Sequence, residues 1–150
     1  MQDLAGCLPL LDYLFVNEDE TRMLTGSADT AAAAAILLER GVGTAVMKLG
    51  ARGCLVCPRG CAPLAVPAFG VQAKDTTGAG DCFVAGFLGS LVRGASVSDA
   101  ARFACTVAAL TVQRVGGVAA GLETASTSRA GCERPRSEAS EQKLPRRKSS

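Results

Sequence analysis

Asp75-Thr76-Thr77-Gly78-Ala79-Gly80-Asp81 is the stretch of this 150-residue chain whose residue types could do chemistry. Two carboxylates bracket two threonines and a small-residue turn, and an apolar segment follows at once. Phe83, Val84, Phe87, Leu88, Leu91 and Val92 recur at i, i+1, i+4, i+5, i+8 and i+9, which predicts one face of a helix. The turn then delivers free backbone N–H groups at a helix N-terminus, where the macrodipole adds partial positive charge. Gly78 and Gly80 keep Cβ atoms out of the way of a ligand lying on that backbone. Asp81 falls at the mouth of this anion site. A carboxylate there repels a phosphate, but it suits a general base that takes the proton from a hydroxyl attacking that phosphate. The same residues also make an ordinary helix cap and turn, and spacing alone leaves both readings open. Two phosphate-binding patterns fail: no Lys follows the glycines as a Walker A loop needs, and Phe83 stands where the dinucleotide fingerprint needs its third Gly.

The elements that must position this stretch can be read in order. Leu8-Pro9-Leu10-Leu11 leads directly into Tyr13–Val16, a short apolar run that predicts a buried strand. Asn17 and Glu20, three apart, form a capping box for the helix that follows. Asp29 opens a second helix, rich in alanine and ended by Arg40-Gly41. Thr44–Lys48 is a second buried strand, apolar enough for a parallel sheet. The loop Lys48-Leu49-Gly50-Ala51-Arg52-Gly53 leaves its carboxyl end, where open α/β sheets bind ligands; a plain glycine turn between strands is the alternative. Cys54–Cys57, Leu64–Val66 and Val71–Ala73 predict short antiparallel or edge strands, since Pro58, Pro63 and Pro67 lie between them. Ser96 and Asp99 cap a last helix, with Phe103, Val107 and Leu110 on its apolar face.

Composition narrows the function. The chain is 48% hydrophobic and has no His, so Ser-His-Asp and Cys-His catalysis are excluded within it. The net charge of +2 is uneven: residues 1–125 carry 9 basic and 11 acidic side chains, and residues 126–150 carry 7 and 3. The body has no electrostatic footprint for nucleic acid. Seven cysteines, an odd number set mostly in apolar segments, fit a reducing cytoplasm better than a disulfide scaffold. Cys54, Cys57 and Cys61 have a metal-like spacing but no fourth ligand, and GCLVCP reads as a strand. No secretory signal is visible, and no apolar run reaches the roughly 18 residues of a membrane span. Residues 126–150 are rich in Ser and Arg and nearly free of apolar residues, which predicts a disordered tail beyond a domain at 1–125.

DTTGAGDCFVAGF resembles the C-terminal signature of the ribokinase-like (PfkB-type) carbohydrate kinases, and VNEDETRMLTG resembles the family's Asn-x-x-Glu motif. The resemblance covers about residues 8–122. It implies the C-terminal part of a three-layer α/β/α fold, incomplete at its N-terminus, and an ATP-dependent sugar kinase. It casts Asp81 as catalytic base, with Gly78, Ala79 and Gly80 forming the anion hole for the transferred phosphoryl group. Asn17 and Glu20 would organise Mg²⁺ and the phosphates, largely through water. Lys48, Gly50 and Gly53 would be neighbours of ATP, and Cys105, where many relatives carry Asn, would lie near the adenine. Asp75 and Thr77, with backbone carbonyls around Thr111, Arg114 and Gly116, would hold a monovalent cation such as K⁺. Relatives use ribose, fructose, 2-keto-3-deoxygluconate, phosphosugars and nucleosides, and full-length members are often dimers.

Such kinases are about twice this long, and the half carrying the sugar-binding residues and lid is not visible. The chain is therefore expected to be a fragment, inactive alone, with exposed sheet edges and apolar surface. A non-catalytic nucleotide-binding or regulatory module is the alternative. A nucleic-acid role through the tail is disfavoured by the acidic body.

Overall fold

The computed structural model describes residues 6–113. Arg114, Gly116 and the tail at 126–150 lie outside the described residues. Four strands form one mixed sheet in the order β1-β2-β3-β4: Tyr13–Asn17, Thr44–Lys48, Cys54–Pro58 and Leu64–Val66. β1 and β2 are parallel, with Tyr13 opposite Thr44 and Asn17 opposite Lys48. β3 and β4 continue antiparallel. Helices α1 (Glu18–Thr25) and α2 (Thr30–Glu39) join the parallel pair, while α3 (Ala79–Val92) and α4 (Val97–Val112) follow β4.

Alternation along the strands sends side chains to two cores. Val16, Ala45, Met47 and Cys57 pack with Ala33, Ala34 and Leu37 of α2 on one face. Val46, Cys54, Val56 and Val66 pack with Phe83 and Phe87 of α3 and the alanines of α4 on the other. The result is helices on both faces of a sheet, the three-layer arrangement expected. Tyr13 and Phe15 of β1 meet Phe87 edge-on, the Phe15 and Phe87 ring centres lying 5.2 Å apart. This aromatic cluster fixes the first turns of α3 against the sheet, directly behind the Gly78–Asp81 segment.

Leu8–Leu10, to which the sequence reading gave no element, is a short 3₁₀ turn with Leu8 buried, because Pro9 presets a helical φ there. Two expectations change. Val71–Ala73 is not a strand; the segment has no regular secondary structure. The apolar face assigned to α4 is not the buried one either, since Phe103 is 51% and Leu110 59% exposed. Ala100, Ala101, Ala104 and Cys105 are buried instead. Small residues let α4 approach α3 closely: a Cβ on Gly86 would stand 3.4 Å from the Ala104 Cα. On α3, likewise, Phe83 and Phe87 are buried while Val92 is 88% exposed. On its outer side β1 has no neighbouring strand among the described residues.

Candidate functional site

α3 begins where Gly78, at φ +76°, turns the chain into the helix as its N-cap. Ala79, Gly80 and Asp81 are the first three helical residues. Among the described residues, the Gly80 and Asp81 N–H groups have no backbone acceptor, while Cys82 N–H already closes on the Gly78 carbonyl. Asp81 is exposed, at the third helical position, and Phe83 just beyond it is buried. The carboxylate and two free donors thus face outward from one turn.

Lys48, the last residue of β2, reaches this turn. Its Nζ lies 3.2 Å from where a Gly80 Cβ would be. The ammonium pairs with no carboxylate among the described residues, where the one ion pair is Arg52 with Glu18. A cation, two unspent N–H donors and a helix N-terminus converge on one spot, which is the physical recipe for an anion site.

That spot lies on a cleft of about 560 Å³, a volume typical of small-molecule sites. Asn17, Lys48, Thr76, Ala79 and Gly80 line one part, and Gly50, Ala51 and Gly53 the loop beside it. The rest is apolar: Phe69, Val71 and Ala73 from the segment after β4, Phe83 from α3, and Cys105, Ala108, Ala109 and Val112 from α4. Sequence reading missed this apolar wall, having given Val71–Ala73 to a strand and taken α4 by its larger residues. Pro67 and Gly70 on either side of Phe69 were the available signal for a loop.

The loop after β2 is held by backbone. Gly53 N–H donates to the Gly50 carbonyl, and Leu49 N–H to the Gly53 carbonyl. Gly53 is at φ +94°, and a Cβ there would meet the Val66 carbonyl oxygen at 2.0 Å. Only glycine lets this loop close against the end of β4.

Of the other residues singled out, Asn17 and Glu20 form the capping box. The Asn17 side-chain oxygen accepts from Glu20 N–H at 2.8 Å, and Glu20 Oε2 accepts from Asn17 N–H at 2.7 Å. Asn17 lines the cleft and Glu20 does not. Replacing Asn17 with alanine should cost about 1 kcal/mol through lost capping. The check is a urea midpoint lowered without a change in slope. Asp75 Oδ1 accepts from Thr77 N–H at 2.9 Å, and Lys74 and Asp75 N–H both donate to the Val112 carbonyl. The Asp75–Thr77 loop is therefore tied to the end of α4 that carries Thr111, whose hydroxyl donates to the Val107 carbonyl.

Cys105 brings a second sulfur with it. Its Sγ lies 3.8 Å from that of Cys54 on β3. A hydrogen bond from Cys54 holds the Cys105 thiol below its ordinary range, against an opposing push from burial. Cys54 is held up by that bond, by burial and by the charge of Cys105. Burial also raises Cys57, on the other sheet face. Cys61 is exposed, so the three cysteines at metal-like spacing do not converge, and no group of three metal-ligating side chains exists among the described residues. No helix among them is long and apolar enough to cross a membrane.

The family model described as "pfkB family carbohydrate kinase" matches residues 1–125. A ribokinase of Haemophilus influenzae is 36% identical over 114 residues, covering 73% of this chain and 37% of that protein. The structure of Arabidopsis thaliana ribokinase complexed with ribose and ATP is similar with a TM-score of 0.72 and 35% identity, covering 75% of this chain and 38% of that one. A Vibrio cholerae fructokinase bound to fructose, ADP and calcium is similar with a TM-score of 0.69 and 30% identity, covering 77% and 40%. The chain spans about two fifths of the length of each of these proteins.

Proposed function

The chain belongs to the pfkB family of carbohydrate kinases, and from that membership and the cleft we propose that it carries the nucleotide-binding and phosphoryl-transfer half of an ATP-dependent sugar kinase. One observation supports this above others: the cleft combines an apolar lining with a cation and unspent N–H donors at a helix start, the two chemistries of a nucleotide. The base of ATP would lie against Cys105, Ala108 and Val112, and its phosphates would run past Lys48 and Gly50–Gly53 toward Gly80. The relatives complexed with ATP and ribose, or with ADP and fructose, agree with such a ligand.

In this reading Asp81 takes the proton from a sugar hydroxyl. The freed oxygen forms its bond to the γ-phosphorus as the bond to the β-phosphate oxygen breaks, and ADP leaves. The Gly80 and Asp81 N–H groups, with the Gly78-Ala79 turn, hold the oxygens on which charge develops. Asn17 and Glu20 spend one oxygen each on the capping box. What remains for Mg²⁺ is the second Glu20 carboxylate oxygen, which suits contact through the waters that Mg²⁺ keeps. Bound there, the ion would neutralise phosphate charge. Asp75, Thr77 and Thr111, with Arg114 and Gly116, would hold a K⁺-class cation near the same turn. The tie between Asp75 and Val112 already brings these two segments together.

The test is MgATP binding by the chain, followed by transfer to a panel of sugars when it is joined to the preceding portion of a ribokinase. Binding without transfer to any sugar would favour a non-catalytic nucleotide module. Lys48 gives a separate check. Replacing it with methionine removes the ammonium beside Gly80 and should weaken ATP about 10- to 100-fold, taking about 1.5–3 kcal/mol for a hydrogen bond to a charged group. Adenosine, which lacks phosphates, should bind both forms equally in a calorimetric titration.

A further inference from the structure

Cys54 of β3 and Cys105 of α4 put two sulfurs 3.8 Å apart on facing elements, and phosphoryl transfer uses neither. Both residues are buried, yet Cys105 also lines the cleft while Cys54 does not. A small reagent entering the cleft therefore meets Cys105 first. The other cysteines among the described residues differ: Cys57 is buried in the opposite core, Cys82 is half-buried, and Cys7 and Cys61 are exposed.

We propose that Cys54 and Cys105 are an oxidisable thiol pair, which a peroxide-class oxidant entering through the cleft closes into a disulfide. The Cys105 thiolate attacks one peroxide oxygen, the O–O bond breaks, and hydroxide leaves to be protonated as water, giving a sulfenic acid on Cys105. The Cys54 sulfur then attacks the Cys105 sulfur, the S–O bond breaks, and the hydroxyl departs with the Cys54 proton as a second water. Two thiols and one hydrogen peroxide become one disulfide and two waters. The thiol partition already described makes Cys105 the sulfur that meets the peroxide, since the thiolate is the reactive form. Once Cys105 is a neutral sulfenic acid, its charge no longer opposes ionisation of Cys54. The sulfurs must close to about 2.05 Å, which draws the cleft wall at Cys105 toward β3. On the nucleotide reading above, the oxidised chain binds ATP more weakly, and bound ATP shields the pair.

The experiment treats the full chain with hydrogen peroxide, alkylates the remaining thiols and digests with trypsin. Cleavage after Arg52, Arg59, Arg102 and Arg114 isolates segments 53–59 and 103–114. The expected product is these two segments joined, with fragmentation placing the bond at Cys54 rather than Cys57. It should form before Cys61 is oxidised, revert with a dithiol, and vanish in Cys105→Ser. Oxidation of Cys61 with segments 53–59 and 103–114 still separate, or a bond at Cys57, overturns the proposal. The wild-type chain alone decides this, whatever the variant does to folding. Saturating MgATP should slow the joining several-fold. A bond that forms equally fast with and without MgATP upholds the thiol pair and counts against nucleotide in the cleft.

Discussion

Replacing Asp81 with asparagine lowers phosphoryl transfer by about 10²–10⁴-fold, the contribution of a positioned general base, and leaves ATP affinity essentially unchanged. Asparagine keeps the size and shape of the side chain but has no lone pair basic enough to take the hydroxyl proton. Asp81 is exposed, so its replacement creates no cavity and buries no unpaired group. As a first-turn acid it favours the helix dipole by roughly 0.3–1 kcal/mol, and that is the whole stability loss expected. In rate terms the base is worth about 3–5 kcal/mol at 1.36 kcal/mol per decade. The gap between these magnitudes separates a base from a helix cap: a cap would lower stability by about 1 kcal/mol and leave turnover alone. The check is kcat for sugar phosphorylation in the chain joined to the preceding portion of a ribokinase, alongside a urea titration. Near-normal kcat in the asparagine variant refutes the role.

Replacing Gly53 with alanine should destabilise the chain by roughly 2–6 kcal/mol, taking about 1–3 for the left-handed backbone and about 1–3 for the clash. The new Cβ would stand 2.0 Å from the Val66 carbonyl oxygen and 2.6 Å from the Ala68 nitrogen. Neither is the tip of a flexible side chain; both belong to the backbone that brings Phe69 and Val71 to the cleft. Relief requires moving β4 away from the loop, so the cleft opens as the fold weakens. Gly50 supplies the contrast. Its φ of +57° is also left-handed, but nothing lies within 4 Å of its Cβ position. Alanine there should cost only about 1–2 kcal/mol. Urea midpoints of the two variants measure the difference, and equal losses would show that backbone conformation alone matters.

Much of this was legible in the sequence because local rules agreed with the fold. Asn17 with Glu20, Asp29 and Ser96 cap helices where spacing placed them, since a cap is settled within four residues. Tyr13–Val16 and Thr44–Lys48 were readable as strands because both form apolar runs of a parallel pair. Only β2 is buried along its length; in β1 Val16 alone is fully buried. What the sequence hid depends on contacts distant along the chain. Phe103 and Leu110 have helical spacing but face outward, because alanines and Gly86 set the approach of α4 to α3. Val71–Ala73 alternates like a strand, yet it lies along the cleft without a ladder partner. The nearness of Lys48 to Gly80 joins residues 32 positions apart, and no pattern in either segment encodes it. The pairing of Cys54 with Cys105 is of the same kind.

The central claim is that phosphate oxygens of ATP lie against the start of α3 beside Lys48. Its most direct test is an MgATP titration of the isotope-labelled chain, following backbone amide signals by NMR. Gly80 and Asp81 should show the largest saturable shifts, Gly50–Gly53 and Cys105 should move with the same affinity, and the α2 face should stay still. Saturable shifts elsewhere with Gly80 and Asp81 unmoved would contradict it.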